Sequence, residues 1–153
     1  MTINLKNFLN TKPKLSKMGE FQELKPIDGL EISSFSADLY KNGRDDLALF
    51  YFKDGANYAA MYTSNSIVSQ TIEWNKKSNK SFTKALLVNT KNANTFTGDQ
   101  GVEGVDLVAK NLSRILTLRE SKSDQGVSET VKMKELIFAS TGVIGEKFPA
   151  ENI

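Results

Sequence analysis

The chain has 153 residues, with 20 lysines and arginines against 18 aspartates and glutamates, so its formal charge is +2. It holds no histidine and no cysteine, which excludes within it any Ser-His-Asp or Cys-His catalytic arrangement, any zinc site built on those ligands and any disulfide. A charge so near zero gives no electrostatic footing for a nucleic-acid partner, while 39% hydrophobic residues suffice for a core.

Residues 1–25 are polar and carry Lys6, Lys12, Lys14, Lys17 and Lys25. They lack the apolar centre of a secretory signal and are expected to be an N-terminal extension, with 26–153 as the domain. No apolar run reaches the roughly 20 residues that span a bilayer. The expectation is a soluble, cytoplasmic protein with no membrane partner, and the missing cysteines fit a reducing compartment.

Leu47-Ala48-Leu49-Phe50-Tyr51-Phe52 is apolar at both alternating sets of positions, the pattern of a strand buried on both faces. Lys53-Asp54-Gly55 then predicts a tight reversal and Tyr58–Tyr62 the returning strand, ending at the polar corner Thr63-Ser64-Asn65. Ile67 to Trp74 fits a short helix or a strand equally. Ala85-Leu86-Leu87-Val88-Asn89 predicts a buried strand, and 90–101, rich in Asn, Thr, Gly and Asp, a loop. Thr97 with Gln100 fits a capping box. Val102, Val105, Val108, Ala109, Leu112, Ile115 and Leu116 follow with helical spacing, and Asp106 precedes Lys110 in the favourable i, i+4 order. Residues 121–130 read as a loop or the start of a short helix. Leu136-Ile137-Phe138-Ala139 is a further buried strand, running into Ser140-Thr141-Gly142-Val143-Ile144-Gly145. Strand–strand, helix, strand with mixed connections predicts an α+β layered domain rather than a regular βαβ array.

Without histidine or cysteine, chemistry must come from hydroxyls, carboxylates, amines, amides or backbone N–H groups. Ser140-Thr141-Gly142 stands where a strand ends. A glycine N–H can approach a ligand closely, and the neighbouring threonine hydroxyl can donate to the same oxygen. Two such donors would form an oxyanion hole for acyl transfer. By spacing alone, the tripeptide reads first as a strand-end turn. The asparagines of Asn89–Gly98 suit either gripping an amino-acid-like substrate or fixing their own loop. Gly98-Asp99-Gln100-Gly101 and Gly142-Val143-Ile144-Gly145 lack the Gly-Lys-Ser/Thr ending of a phosphate loop, and no metal site is expected.

Three segments together carry a family likeness: Ala59-Ala60-Met61-Tyr62-Thr63-Ser64-Asn65, then Leu87-Val88-Asn89-Thr90-Lys91-Asn92-Ala93-Asn94-Thr95-Phe96-Thr97-Gly98, then Phe138-Ala139-Ser140-Thr141-Gly142-Val143-Ile144-Gly145. In this order they resemble the ornithine acetyltransferase family of arginine biosynthesis, also called bifunctional glutamate N-acetyltransferase. Asp46-Leu47-Ala48-Leu49 is similar to that family's first strand. Lys91 stands where a small residue, often glycine, is usual. Phe96 replaces a smaller residue and is expected to narrow any pocket the loop lines.

The resemblance implies a layered α/β sandwich of mixed sheets with flanking helices. It also implies a precursor that cuts itself before a threonine, which becomes the N-terminal nucleophile of a β chain. Acetyl passes from N-acetylornithine to glutamate through an acetyl-threonine in a ping-pong route. No cofactor is implied, though some members accept acetyl-coenzyme A as donor. The implied partner is the β chain, in an α2β2 assembly. By the same resemblance Thr141 and Gly142 form the oxyanion hole. The alanine–threonine cleavage motif is absent before Ile153, so the chain is expected to be an α-chain portion, incomplete and inactive without its β chain. The alternatives are a non-catalytic fragment acting as an interaction module, and a related threonine-nucleophile amidohydrolase or aminopeptidase.

Overall fold

The computed structural model describes residues 25–78, 80–121 and 130–153. The extension expected over 1–25 lies, apart from Lys25, outside the described residues, as does the loop expected over 121–130 apart from its two ends.

Leu47–Asn57 forms the long strand β2, and the chain before it returns alongside as β1, Leu30–Phe35. Phe82–Asn89 is β3 and Leu136–Ser140 is β4. They make one sheet in the order β1-β2-β3-β4. The first two pairings are antiparallel and the last is parallel. A parallel neighbour needs a long crossover, and α2, Gly98–Glu120, supplies half of it. A shorter helix α1, Gln70–Lys77, precedes β3. The class is α+β, as expected, with one βαβ unit inside a mixed sheet.

The strand register explains the core. Leu49, Leu87 and Phe138 stand abreast, as do Tyr51, Ala85 and Leu136. Alternation sends both rows to one face, where Val105, Val108, Ala109 and Leu116 of α2 cover them. Trp74 of α1 meets Phe138 edge-on at 5.7 Å between ring centres, and its indole N–H donates to Leu136 O at 3.0 Å. The side chain of Asn75 imitates a further strand, donating to Phe138 O at 2.7 Å and accepting from Phe138 N at 2.9 Å. The outer edge of β4 is thereby blocked against pairing with another chain.

Several expectations are corrected. Asp54-Gly55 makes no hairpin. The β2–β3 pairing jumps from Tyr51–Ala85 to Ala56–Thr83, a bulge at which Gly55 takes φ +76°. A Cβ there would lie 2.1 Å from the Phe82 ring. Tyr58–Tyr62 is accordingly not a returning strand, and β3 begins only at Phe82. β2 is not buried on both faces either: Leu47 and Tyr51 are buried, whereas Phe50 and Phe52 are half-buried. The ambiguous stretch after Ile67 becomes a helix because Ser69 caps it, its hydroxyl accepting from Thr71 N at 3.3 Å.

The capping box at Thr97 does not form, although Thr97 does sit at the cap position. Its hydroxyl donates to Asn94 Oδ1 at 2.7 Å, and the Gln100 amide is held by the backbone of Phe148. Helix α2 therefore begins at Gly98, inside the expected loop. Of its stripe, Val102 and Ile115 are exposed.

Candidate active site

The carboxyl ends of the parallel pair β3 and β4 lie side by side, with Asn89 opposite Ser140. Both strands then turn, and the two turns are bonded to each other. Thr141 N donates to Asn89 O at 3.1 Å, Val143 N to Lys91 O at 2.7 Å, and Ala93 N to Val143 O at 3.0 Å. Gly145 N reaches Thr95 O at 2.8 Å.

This pairing sets Gly142 hard against the neighbouring turn. Its φ is +137°, and a Cβ on it would lie 2.1 Å from the carbonyl carbon of Lys91 and 2.6 Å from Asn92 N. Only glycine combines that dihedral with that approach. Thr141 and Gly142 are both exposed. The Thr141 N–H is taken up by Asn89, but its hydroxyl and the Gly142 N–H have no acceptor among the described residues. Two donors on neighbouring exposed residues thus lie just past the end of β4 without an acceptor among the described residues. Neither is a titratable group, so what they can offer is hydrogen bonding to an oxygen.

The asparagines of the other turn are internal. Asn92 is 2% exposed and Asn94 0%. Asn92 donates to Glu146 O and Lys147 O at 3.1 and 3.2 Å and accepts from Asn94 N at 2.8 Å. Asn94 donates to Gly101 O at 3.2 Å and accepts from Thr97. Of the two uses open to these amides, loop fixing is the one observed at Asn92 and Asn94. Lys91 takes a glycine-like φ of +72° despite its side chain. Phe96, expected to narrow a pocket, is 66% exposed.

Asp46, which the sequence marks only through the strand likeness, buttresses this region. Its buried carboxylate accepts from Ala37 N and Leu39 N, both at 2.7 Å, and its carbonyl accepts from Thr90 N at 2.9 Å. Nothing in its local sequence distinguishes it from a strand-end aspartate, because its partners lie seven to forty-four residues away. Among the described residues no cluster of three acidic, histidine or cysteine side chains could hold a metal, and no helix is long and apolar enough to cross a membrane.

The fold is an α+β sandwich of the kind found in two crystal structures. One is the arginine biosynthesis bifunctional protein ArgJ of Bacillus halodurans (TM-score 0.64, 23% identity, covering 82% of this chain and 59% of that one). The other is the ornithine acetyltransferase of Mycobacterium tuberculosis complexed with ornithine (TM-score 0.69, 24% identity, covering 82% and 62%). The ArgJ family model matches residues 31–153. Arginine biosynthesis bifunctional protein ArgJ of Caulobacter vibrioides is 32% identical over 129 residues, and that of Gluconobacter oxydans 32% over 132. These alignments cover 82% and 86% of this chain but 29% and 28% of the relatives. The chain belongs to the ArgJ family, and it spans under a third of the length of these relatives.

Proposed function

We propose that this chain is the N-terminal, α-type portion of an ornithine/glutamate acetyltransferase and supplies the oxyanion hole of its active site. The attacking group is a threonine at the N-terminus of a β chain. Its own α-amine removes the hydroxyl proton, so no histidine or cysteine is needed. The threonine oxygen attacks the acetyl carbon of N-acetylornithine. The carbonyl oxygen gains negative charge and receives hydrogen bonds from Thr141 Oγ1 and Gly142 N. Collapse expels ornithine, which takes up the proton on its amine, and leaves acetyl-threonine. The amine of glutamate then attacks that ester and gives a proton to the threonine α-amine. The acetyl C–O bond breaks, the α-amine returns the proton to the threonine oxygen, and N-acetylglutamate leaves. Acetyl-coenzyme A would be an alternative donor to the same threonine, and the setting would be the cytoplasm.

The observation that supports this is the pair of unoccupied donors at Thr141 and Gly142, since donors set in advance for a developing oxyanion stabilise the transition state without reorganising. A second observation favours a missing partner. Ile32, Phe50, Leu86 and Ile137 stand abreast across all four strands on the face away from the helices, and none belongs to the core cluster. An apolar sheet face of this kind normally packs against another layer, here assigned to the β chain within an α2β2 assembly.

The test is to combine this chain with a family β chain bearing the N-terminal threonine and to follow acetyl transfer from N-acetylornithine to glutamate. Transfer that requires both chains supports the proposal. Tight association without turnover would point to an interaction module, and peptide hydrolysis without transfer to an amidohydrolase or aminopeptidase.

A further inference from the structure

The two donors owe their placement to groups behind them, and one buried side chain touches both sides of the arrangement. Asn89 is 4% exposed. Its Oδ1 accepts from Ser140 Oγ at 2.6 Å, on the strand that carries Thr141. Its Nδ2 donates to Asn92 O at 2.9 Å and to Thr90 O at 3.2 Å, in the turn against which Gly142 is pressed. Its own carbonyl accepts from Thr141 N at 3.1 Å. The amide orientation follows from the partners, because a reversed amide would aim its oxygen at two carbonyl oxygens.

We infer that Asn89 is a positioning residue for the oxyanion pair: its side-chain amide locks the Thr90–Asn92 turn to Ser140, and so fixes where the Thr141 hydroxyl and the Gly142 N–H point. This deepens, and rests on, the assignment of those two donors. Asparagine is needed because one side chain must accept on one side and donate twice on the other. Aspartate has the same shape but, when ionised, donates nothing and places a carboxylate beside two carbonyl oxygens. When protonated it donates one hydrogen bond and restores part of the link.

The experiment is steady-state acetyl transfer by this chain combined with its β chain, comparing wild type, Asn89→Asp, Ser140→Ala and Thr141→Ala across a pH series. Asn89→Asp is expected to lower kcat by roughly 10- to 100-fold with KM for N-acetylornithine within about twofold. The ratio of its kcat to that of wild type should rise as pH falls and the introduced carboxyl takes up a proton. Ser140→Ala removes one of the bonds while sparing the buried amide, and should lower kcat by roughly 2- to 10-fold, which keeps the inference testable if the aspartate variant fails to fold. A variant ratio flat with pH, a loss carried by KM alone, or Ser140→Ala at wild-type kcat would overturn the role of Asn89. Thr141→Ala separates the two levels. If it lowers kcat while the Asn89 and Ser140 variants do not, only the positioning role falls. If Thr141→Ala is itself without effect, the oxyanion assignment beneath it falls.

Discussion

Gly142 lies so close to Lys91 that a Cβ on it would sit 2.1 Å from the Lys91 carbonyl carbon and 2.2 Å from its oxygen. The obstacle is backbone, held by Val143 N donating to Lys91 O, and cannot swing aside as a side chain would. Gly142→Ala is therefore expected to destabilise the chain by about 2 kcal/mol or more, from overpacking and from the unfavourable φ together. Urea unfolding of the variant beside wild type measures it. A midpoint unchanged at equal slope would mean that the two turns are not in contact.

The asparagine loop makes a second prediction. Asn94 is fully buried, its amide donating to Gly101 O and accepting from Thr97. Asn94→Ala leaves a buried carbonyl and a hydroxyl without their partner and is expected to cost about 1–3 kcal/mol. It also loosens the start of α2. Thermal and urea unfolding, with amide exchange over Gly98–Val102, would detect both effects. Wild-type stability would return the loop to the candidate substrate contacts.

At the other end of α2, Tyr51 OH donates to Glu120 Oε1 at 2.7 Å, and buried Lys84 reaches the same oxygen at 3.3 Å. Burial first, then the Glu120 hydrogen bond and charge, raise the Tyr51 pKa above its ordinary 10.0, against a lowering by Arg119. A pKa raised by folding gives stability that is whole below the unfolded value and is lost as pH rises past it. Stability should thus decline above pH 10. In Tyr51→Phe the decline should be shallower, at a cost of about 1 kcal/mol at neutral pH. Unfolding midpoints of both proteins from neutral to strongly alkaline pH provide the check. Equal alkaline slopes would remove Tyr51 as the source.

What could be read from sequence had local causes. The apolar spacing of α2 and the short runs of β3 and β4 announce themselves within a few residues, and so does the hydroxyl–glycine pair at a strand end. What escaped depends on distant partners. Asp-Gly supplies a positive φ equally to a hairpin turn and to a bulge, and the continued pairing of Ala56 with Thr83 of β3 makes it a bulge. Thr97 and Gln100 have capping chemistry, but Asn94 and Phe148 claim their side chains. β1 is exposed along nearly its whole length, and its alternation, Leu30 and Ile32, breaks at Ser34, too short a run to mark a strand. Asn89 through Ser140, and Asp46 through Ala37, Leu39 and Thr90, act across separations that no spacing rule reveals.

The central claim is most directly tested at Thr141. Its hydroxyl is exposed and has no acceptor among the described residues, so Thr141→Ala should change folding stability by less than about 0.5 kcal/mol. In the complex with the β chain, the same substitution should lower kcat for acetyl transfer by roughly 100- to 1,000-fold, with Thr141→Ser retaining most activity. An alanine variant that matches wild type in both stability and kcat would contradict the account.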